Sequence, residues 1–182
     1  VCANPENDTL ISDTTNNTVA TGGSPAVSVV PHPAWTAVIP GSTTWIWETG
    51  PTATDEIVAF EQGLTISGIV LSAQLDIASD NSYEVFIDGV SVAADPTDNN
   101  FQIATQDMHD LTADVTAGTH TLRIEVKNVG AFDASSNPAG LLYKFVVDSC
   151  NDPVPPPADA CSTPTVAPAG YRCRRGARGL QR

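Results

Sequence analysis

The strongest constraint on the fold is an alternation of apolar and polar residues in short segments that are separated by turn signals. Thr119–Asn128 alternates along its whole length, and Ala73–Ala78 and Tyr83–Ile87 do the same. Tyr83–Ile87 is followed by Asp88-Gly89, a strong hairpin signal. Successive side chains of a strand point to opposite faces, so alternation predicts half-buried strands.

Nowhere do apolar residues recur with the spacing of an amphipathic helix over three turns. Strands that follow one another roughly every 8–12 residues, with no helices, indicate an all-β, antiparallel β-sandwich. Alternate residues are predicted to face water, among them Glu84, Arg123 and Glu125. The predicted core contains Leu75, Ile77, Val85, Ile87, Leu122, Ile124, Val126, Leu142 and Phe145.

The chain of 182 residues is long enough for one domain with a substantial core. We predict a sandwich domain over residues 1–150. Residues 151–170 are predicted to form a Pro-rich linker, in which Pro155–Pro157 favours an extended polyproline II spacer. Residues 171–182 hold five arginines and no acid, and we predict a disordered basic tail.

The charge distribution excludes some classes of partner. Residues 1–150 hold three basic and 19 acidic side chains, a net charge of −16. A body this acidic repels phosphate backbones, so nucleic acid is excluded as a partner. No run of about 18 apolar residues exists, so no membrane span is predicted.

The cysteines indicate the compartment. Cys2, Cys150, Cys161 and Cys173 all lie outside the patterned region, and an even count at the edges of a domain is typical of disulfides in an oxidising compartment. A first residue other than Met suits a mature product whose signal peptide has been removed, and equally a sequence that begins at an arbitrary point. We therefore expect an extracellular or cell-surface protein.

Several segments resemble one known family. Residues 45–147 look like the galactose-binding-domain-like jelly roll of bacterial extracellular and surface proteins, which recurs in carbohydrate-binding modules and in accessory domains of glycosidases. The resemblance is carried by Ala73–Ala78 with the hairpin Tyr83–Gly89 and by the closing strand Leu141–Val147. Ala117–Asn128 is similar to the family's pattern G-x-N/H-x-L-x-V-x-V-x-N. The stretch from His32–Trp35 through Trp45–Trp47 resembles a "W…WIW" opening. The resemblance implies a jelly-roll sandwich and specifies the ligand poorly.

The resemblance also bears on the disulfides. In jelly rolls the two ends of the chain usually lie on neighbouring strands, and Cys2 and Cys150 bracket the predicted domain. We predict that Cys2 pairs with Cys150 and that Cys161 pairs with Cys173.

Aromatic residues in loops are the first candidates for ligand binding, because sugar rings stack their apolar C–H faces on exposed aromatic side chains. Trp35 lies in a loop and is the better candidate for such a stacking surface. Phe101 and Phe132 lie in long polar loops, and His109 lies beside Asp110 in what is otherwise a solvated turn. Trp45 and Trp47, on one side of a strand, are predicted to be core residues.

The loop after the predicted hairpin suggests a metal site. Calcium takes about 6–8 oxygen ligands, and Asp95, Asp98, Asn99 and Asn100 supply oxygens with no positive charge nearby, with Asp80 at another corner. A structural calcium ion is the one cofactor considered. The alternative is a solvated acidic loop without metal.

No nucleophile–base motif, zinc-protease motif or P-loop occurs, so we expect no enzymatic activity. A pair of carboxylates for glycoside hydrolysis stays open, because folding can bring together any two acids. Two functions remain. The first is a non-catalytic extracellular module for glycan binding or surface adhesion. The second is a structural subunit of a filament, sheath or stalk that assembles with copies of itself through strand edges, with the N-terminal segment as the donated strand.

Overall fold

The structure is a computed structural model that describes residues 2–42, 44–49, 53–133 and 135–152. These residues contain strands and turns but no helix, so no helix among them could cross a membrane. Most of the predicted linker, the basic tail and the predicted Cys161–Cys173 disulfide lie outside the described residues. The strands are β1 (Pro5–Ile11), β2 (Thr18–Val19), β3 (Ser24–Pro25), β4 (Val27–Ser28), β5 (Ile46–Trp47), β6 (Ile57–Ile66), β7 (Ile69–Asp80), β8 (Ser82–Ile87), β9 (Val90–Asp95), β10 (Asp107–Asp110), β11 (Gly118–Lys127) and β12 (Gly140–Cys150).

The strands form two antiparallel sheets. The first has the order β10-β7-β12-β5-β4, with β1 also paired to β12, and the second has the order β3-β2-β6-β11-β8-β9. The chain alternates between the sheets, since β6 and β7 belong to different sheets, as do β11 and β12. This architecture confirms the predicted jelly-roll sandwich.

The core lies between the sheets, as the alternation predicts. All nine predicted core residues are buried, and eight of them belong to the main core. The largest side chains there are Trp47, Tyr143, Phe60 and Phe145. Leu142 is the exception, because it packs in a second apolar cluster.

The second cluster lies on the outer face of the first sheet. Leu142 of β12 and Ala78 of β7 lie opposite each other in the register. Their sequence neighbours Leu141 and Ile77 face the main core, so the side chains of Leu142 and Ala78 point to the outer face. The connection between β4 and β5 covers them with Trp35, Ala37, Ile39 and Trp45. Trp45 and Trp47 are both buried as predicted, but they belong to different clusters.

The N-terminal segment is part of this chain's own sheet. The whole of β1 pairs with β12, from Pro5 opposite Cys150 to Ile11 opposite Lys144. The predicted Cys2–Cys150 disulfide is confirmed, with the two Cα atoms 5.8 Å apart. Donation of this segment to another copy would therefore require β1 to leave β12, and assembly through it stays a prediction.

The predicted water-facing residues lie on the outer face of the second sheet, where they are partly rather than fully exposed. Arg123 donates to Glu61 at 2.9 Å and to Glu125 at 2.6 Å. The guanidinium therefore neutralises two strand neighbours, a surface arrangement that contributes about 0–1 kcal/mol per pair.

Candidate functional site

Four connections meet at one end of the sandwich, which we call the loop rim. They are the β4–β5 connection, the β7–β8 corner at Asp80–Asn81, the β9–β10 loop and the β11–β12 loop. Four of the predicted candidates, Trp35, Asp80, Asp98 and Phe101, line one cleft there. The fold thus brings together candidates that are up to 66 positions apart in the sequence.

Asn81 holds three of these connections together. Its side-chain Nδ2 donates to the backbone oxygen of Asp98 at 2.9 Å, and its Oδ1 accepts from the backbone N–H of Val129 at 2.7 Å. Its backbone oxygen accepts from Asn100 Nδ2 at 3.3 Å. The sequence marks Asp80-Asn81 as a turn, but these long-range bonds have no local signal.

The loop rim carries two adjoining depressions. The first, the rim cleft, has a volume of about 260 Å³. The second, the apolar pocket, has a volume of about 200 Å³ and includes Phe132. They share Trp35 and Pro138. The rim cleft is lined by His32, Ala34, Trp35, Asp80, Asn81, Asp98, Phe101, Ser136, Asn137 and Pro138.

Trp35 is buried, with 7% of its surface exposed, so its predicted role as an exposed stacking surface is wrong. Its ring packs on Trp45 with a centroid distance of 4.4 Å, and its Nε1 donates to Asp80 Oδ2 at 2.8 Å. Gly140 makes room for it, because a Cβ there would lie 2.7 Å from the indole. Trp35 therefore forms the floor between the two depressions.

Phe101 and Phe132 are half-buried and supply the remaining aromatic surface. Phe101 packs against the second cluster and lines the rim cleft. Phe132 packs against the main core and lines the apolar pocket. Both predicted candidates thus border the site, one on each side of Trp35.

Asp80 is the charged group at the base of the rim cleft, and only 5% of its surface is exposed. Burial raises its pKa to about 6, against the opposing effects of the Trp35 N–H and the charge of His32. Among the described residues, Oδ2 has Trp35 as its partner and Oδ1 makes no hydrogen bond. The carboxyl group can therefore exchange a proton near neutral pH, and one oxygen is available to a ligand.

The raised pKa of Asp80 predicts a pH-dependent stability. Its protonated form stabilises the fold fully below pH 3.8, and this contribution is lost as the pH rises through about 6. An Asp80→Asn variant keeps an acceptor for Trp35 and cannot ionise. Its free energy of unfolding relative to wild type is expected to rise between pH 4 and pH 7 and then to level off, as measured by urea unfolding. A difference that is constant over this range contradicts the assignment.

The predicted calcium loop is organised by its own hydrogen bonds. Asp95 Oδ1 accepts from the N–H of Thr97 at 2.7 Å, and Asn100, which is buried, accepts from Thr97 Oγ1 at 2.9 Å. Asp98 and Asn99 are exposed. In the part of the chain that the structure describes, one group of three cysteine, histidine or carboxylate ligand atoms lies close together. It consists of Asp152 and the two sulfurs of the Cys2–Cys150 disulfide, which are bonded to each other. Calcium binding therefore stays a prediction from composition.

His109 lies in strand β10 rather than in a solvated turn, since it pairs with Leu75 of β7. Its Nε2 lies 2.6 Å from Tyr83 Oη, which donates to Asp107 Oδ2 at 2.6 Å. Because the hydroxyl proton goes to Asp107, His109 Nε2 donates to the hydroxyl. Burial, followed by Asp107, strongly raises the pKa of Tyr83. These side chains connect the two sheets outside the rim cleft, so His109 is not brought to the other candidates.

No protein-family model matches this sequence, and no curated protein matches it. Among solved structures, the chain is similar to an α-L-rhamnosidase from Streptomyces avermitilis complexed with L-rhamnose, with 24% identity and a TM-score of 0.48. That match covers 80% of this chain and 15% of the rhamnosidase, so the chain spans a small part of that enzyme.

The chain is also similar to family 35 carbohydrate-binding modules from Clostridium thermocellum and Paenibacillus barcinonensis. The identities are 9% and 14%, the TM-scores are 0.43 and 0.42, and each match covers 76% of this chain and 97% of the module. The likeness is one of fold.

Proposed function

We propose that this protein is a non-catalytic, extracellular module that binds a carbohydrate at the loop rim. The observation that carries the proposal is the pairing of a polar rim cleft with an apolar pocket across the Trp35 floor. A sugar ring presents hydroxyl groups at its rim and C–H groups on its faces, so its site needs hydrogen-bonding groups beside apolar surface. Asp80 and Asn137 supply the hydrogen-bonding groups, and Phe101 and Phe132 supply the apolar surface.

The dimensions of the site suit a small ligand. The two depressions together fall within the range of about 300–1,000 Å³ that is typical of small-molecule sites. The Asn81 bonds fix the loops that form the walls. A preformed site of this kind loses little conformational entropy when a ligand binds.

The cleft contains no serine activated by a histidine among the described residues. His32 and Ser136 both line it, but His32 Nδ1 accepts from the N–H of Ala34 at 3.2 Å, and no hydrogen bond joins it to Ser136. An activated serine requires a base within hydrogen-bond reach. This argues against hydrolysis by an activated serine; the two carboxylates of the cleft, Asp80 and Asp98, are the groups that a turnover measurement must test.

Calorimetric titration with a panel of soluble oligosaccharides tests the proposal. We expect at least one to bind, and Asp80→Asn to weaken that binding about tenfold or more, since hydrogen bonds to a charged group contribute about 1.5–3 kcal/mol. Asp114→Asn, an exposed acid between β10 and β11 at the opposite end, is the matched control and should bind like wild type. Absence of binding across the panel contradicts the proposal. Release of reducing sugar that Asp80→Asn abolishes contradicts the non-catalytic part.

The second hypothesis, assembly through strand edges, has one supporting observation. In the described sheets, β9 and β10 lie at the ends of the strand order, and each leaves one edge without a partner strand. Such edges can pair with another chain. Sedimentation of the purified protein at increasing concentration distinguishes the hypotheses, because polymers favour assembly and a monomer favours the binding module.

A further inference from the structure

We propose that the rim cleft selects glycans that carry a free amino group, and that the ammonium of a hexosamine unit binds to the Asp80 carboxylate. This inference rests on the proposed function and specifies its ligand class. Its starting point is the Asp80 carboxylate, which lines the cleft with only 5% of the residue's surface exposed. Among the described residues, its Oδ1 makes no hydrogen bond.

A buried carboxylate is stabilised most by a cationic donor. Taking an ionised group out of water costs several kcal/mol unless it is paired. The indole N–H of Trp35 is a neutral donor and engages Oδ2 alone. An ammonium group offers three donors and a full positive charge in a compact volume, whereas a sugar hydroxyl offers one donor and no charge.

No lysine or arginine of the described residues is the cationic partner of Asp80. Arg123 is bound to Glu61 and Glu125 on the outer face of the second sheet. Lys144 Nζ donates to the backbone oxygen of Pro40, and Lys127 lines a different depression beside Glu84 and Glu125. These three are the basic residues, apart from histidines, of residues 1–150. Among the described residues, His32 is thus the one basic side chain beside Asp80 in the cleft, and a cationic ligand can supply the stronger partner.

The electrostatic surroundings favour a cationic ligand over an acidic one. Asp98 is a second carboxylate in the lining, and His32 is its one titratable base. The body carries a net charge of −16, which attracts polycations and repels uronic acids and sulfated sugars. Carboxylate and ammonium must both be charged, so the affinity should pass through a maximum between the pKa of Asp80 and that of the sugar amine.

Titrations with four tetrasaccharides test the inference: the tetramers of β-1,4-linked glucosamine, of its N-acetylated form, of β-1,4-linked glucose, and of a uronic acid. We expect the glucosamine tetramer to bind about tenfold tighter than the N-acetylated and glucose tetramers, as a charge-assisted bond predicts. Asp80→Asn should reduce this preference to about threefold or less. Asp114→Asn removes the same net charge at the opposite end and should retain the preference.

Each other outcome overturns the inference. Equal or tighter binding of a neutral or acidic tetramer removes the selectivity but leaves the proposed glycan site standing. Equal losses in Asp80→Asn and Asp114→Asn show that the acidic body attracts the polycation without using the cleft. Failure of all four tetramers to bind contradicts the inference, and contradicts the proposed function only if the wider panel also fails.

Discussion

Replacing Cys2 and Cys150 together with serine is expected to lower the free energy of unfolding by about 5 kcal/mol in the chain-entropy model. The bond joins residues 148 positions apart, so it constrains nearly the whole described domain in the unfolded state. For a domain of this size, about 2–4 °C of melting temperature accompany each kcal/mol. A fall on the order of 10–20 °C is therefore expected by calorimetry.

Wild-type protein in reducing agent is the control for this prediction. It should melt at the same temperature as the double serine variant if the covalent link, rather than packing of the sulfur atoms, is responsible. The native contacts near the bond remain in both cases, since Asp152 accepts from the N–H groups of Ala3 and Asn4 and β1 stays paired with β12. An unchanged melting temperature in both samples contradicts the prediction.

The parts of the fold that the sequence predicts are those fixed by local pattern. In β8, and in β11 from Leu122 onward, buried and partly exposed residues alternate, because one face of each strand packs on the core and the other meets solvent. Both strands were therefore predictable, as was the burial of Val85 and Ile124. The Cys2–Cys150 pairing was predicted from the resemblance to jelly rolls, in which the two chain ends lie on neighbouring strands, and the structure contains it.

The sequence predicted part of the lining of the rim cleft but not its geometry, since Asn81 and Asn137 were not among the predicted residues. Trp35 lies in a loop without alternation, and its burial depends on Gly140, which is 105 positions away and leaves room for the ring. The roles of Asp80 and Asn81 depend in the same way on partners in other loops. His109 was misplaced because its four-residue edge strand is too short to show a period.

The second large effect concerns Trp35, whose replacement by alanine is expected to cost about 3–5 kcal/mol in the free energy of unfolding. The change leaves a cavity against Trp45 and removes the N–H that binds the buried Asp80 carboxylate. Urea unfolding measures the loss. Ligand binding at the loop rim should fall as well, because the floor between the two depressions is lost.

A Trp35→Phe variant separates the hydrogen bond from the packing, because it keeps an aromatic ring and removes Nε1. A bond to a charged group contributes about 1.5–3 kcal/mol and a neutral bond about 0.5–1.5 kcal/mol. The stability lost in Trp35→Phe should therefore be greater at pH 8, where Asp80 is ionised, than at pH 4.5, where it is protonated. In an Asp80→Asn background the same substitution should cost equal amounts at both pH values. A pH-independent loss in the wild-type background means that Trp35 stabilises the rim by packing alone, with no contribution from the bond to Asp80.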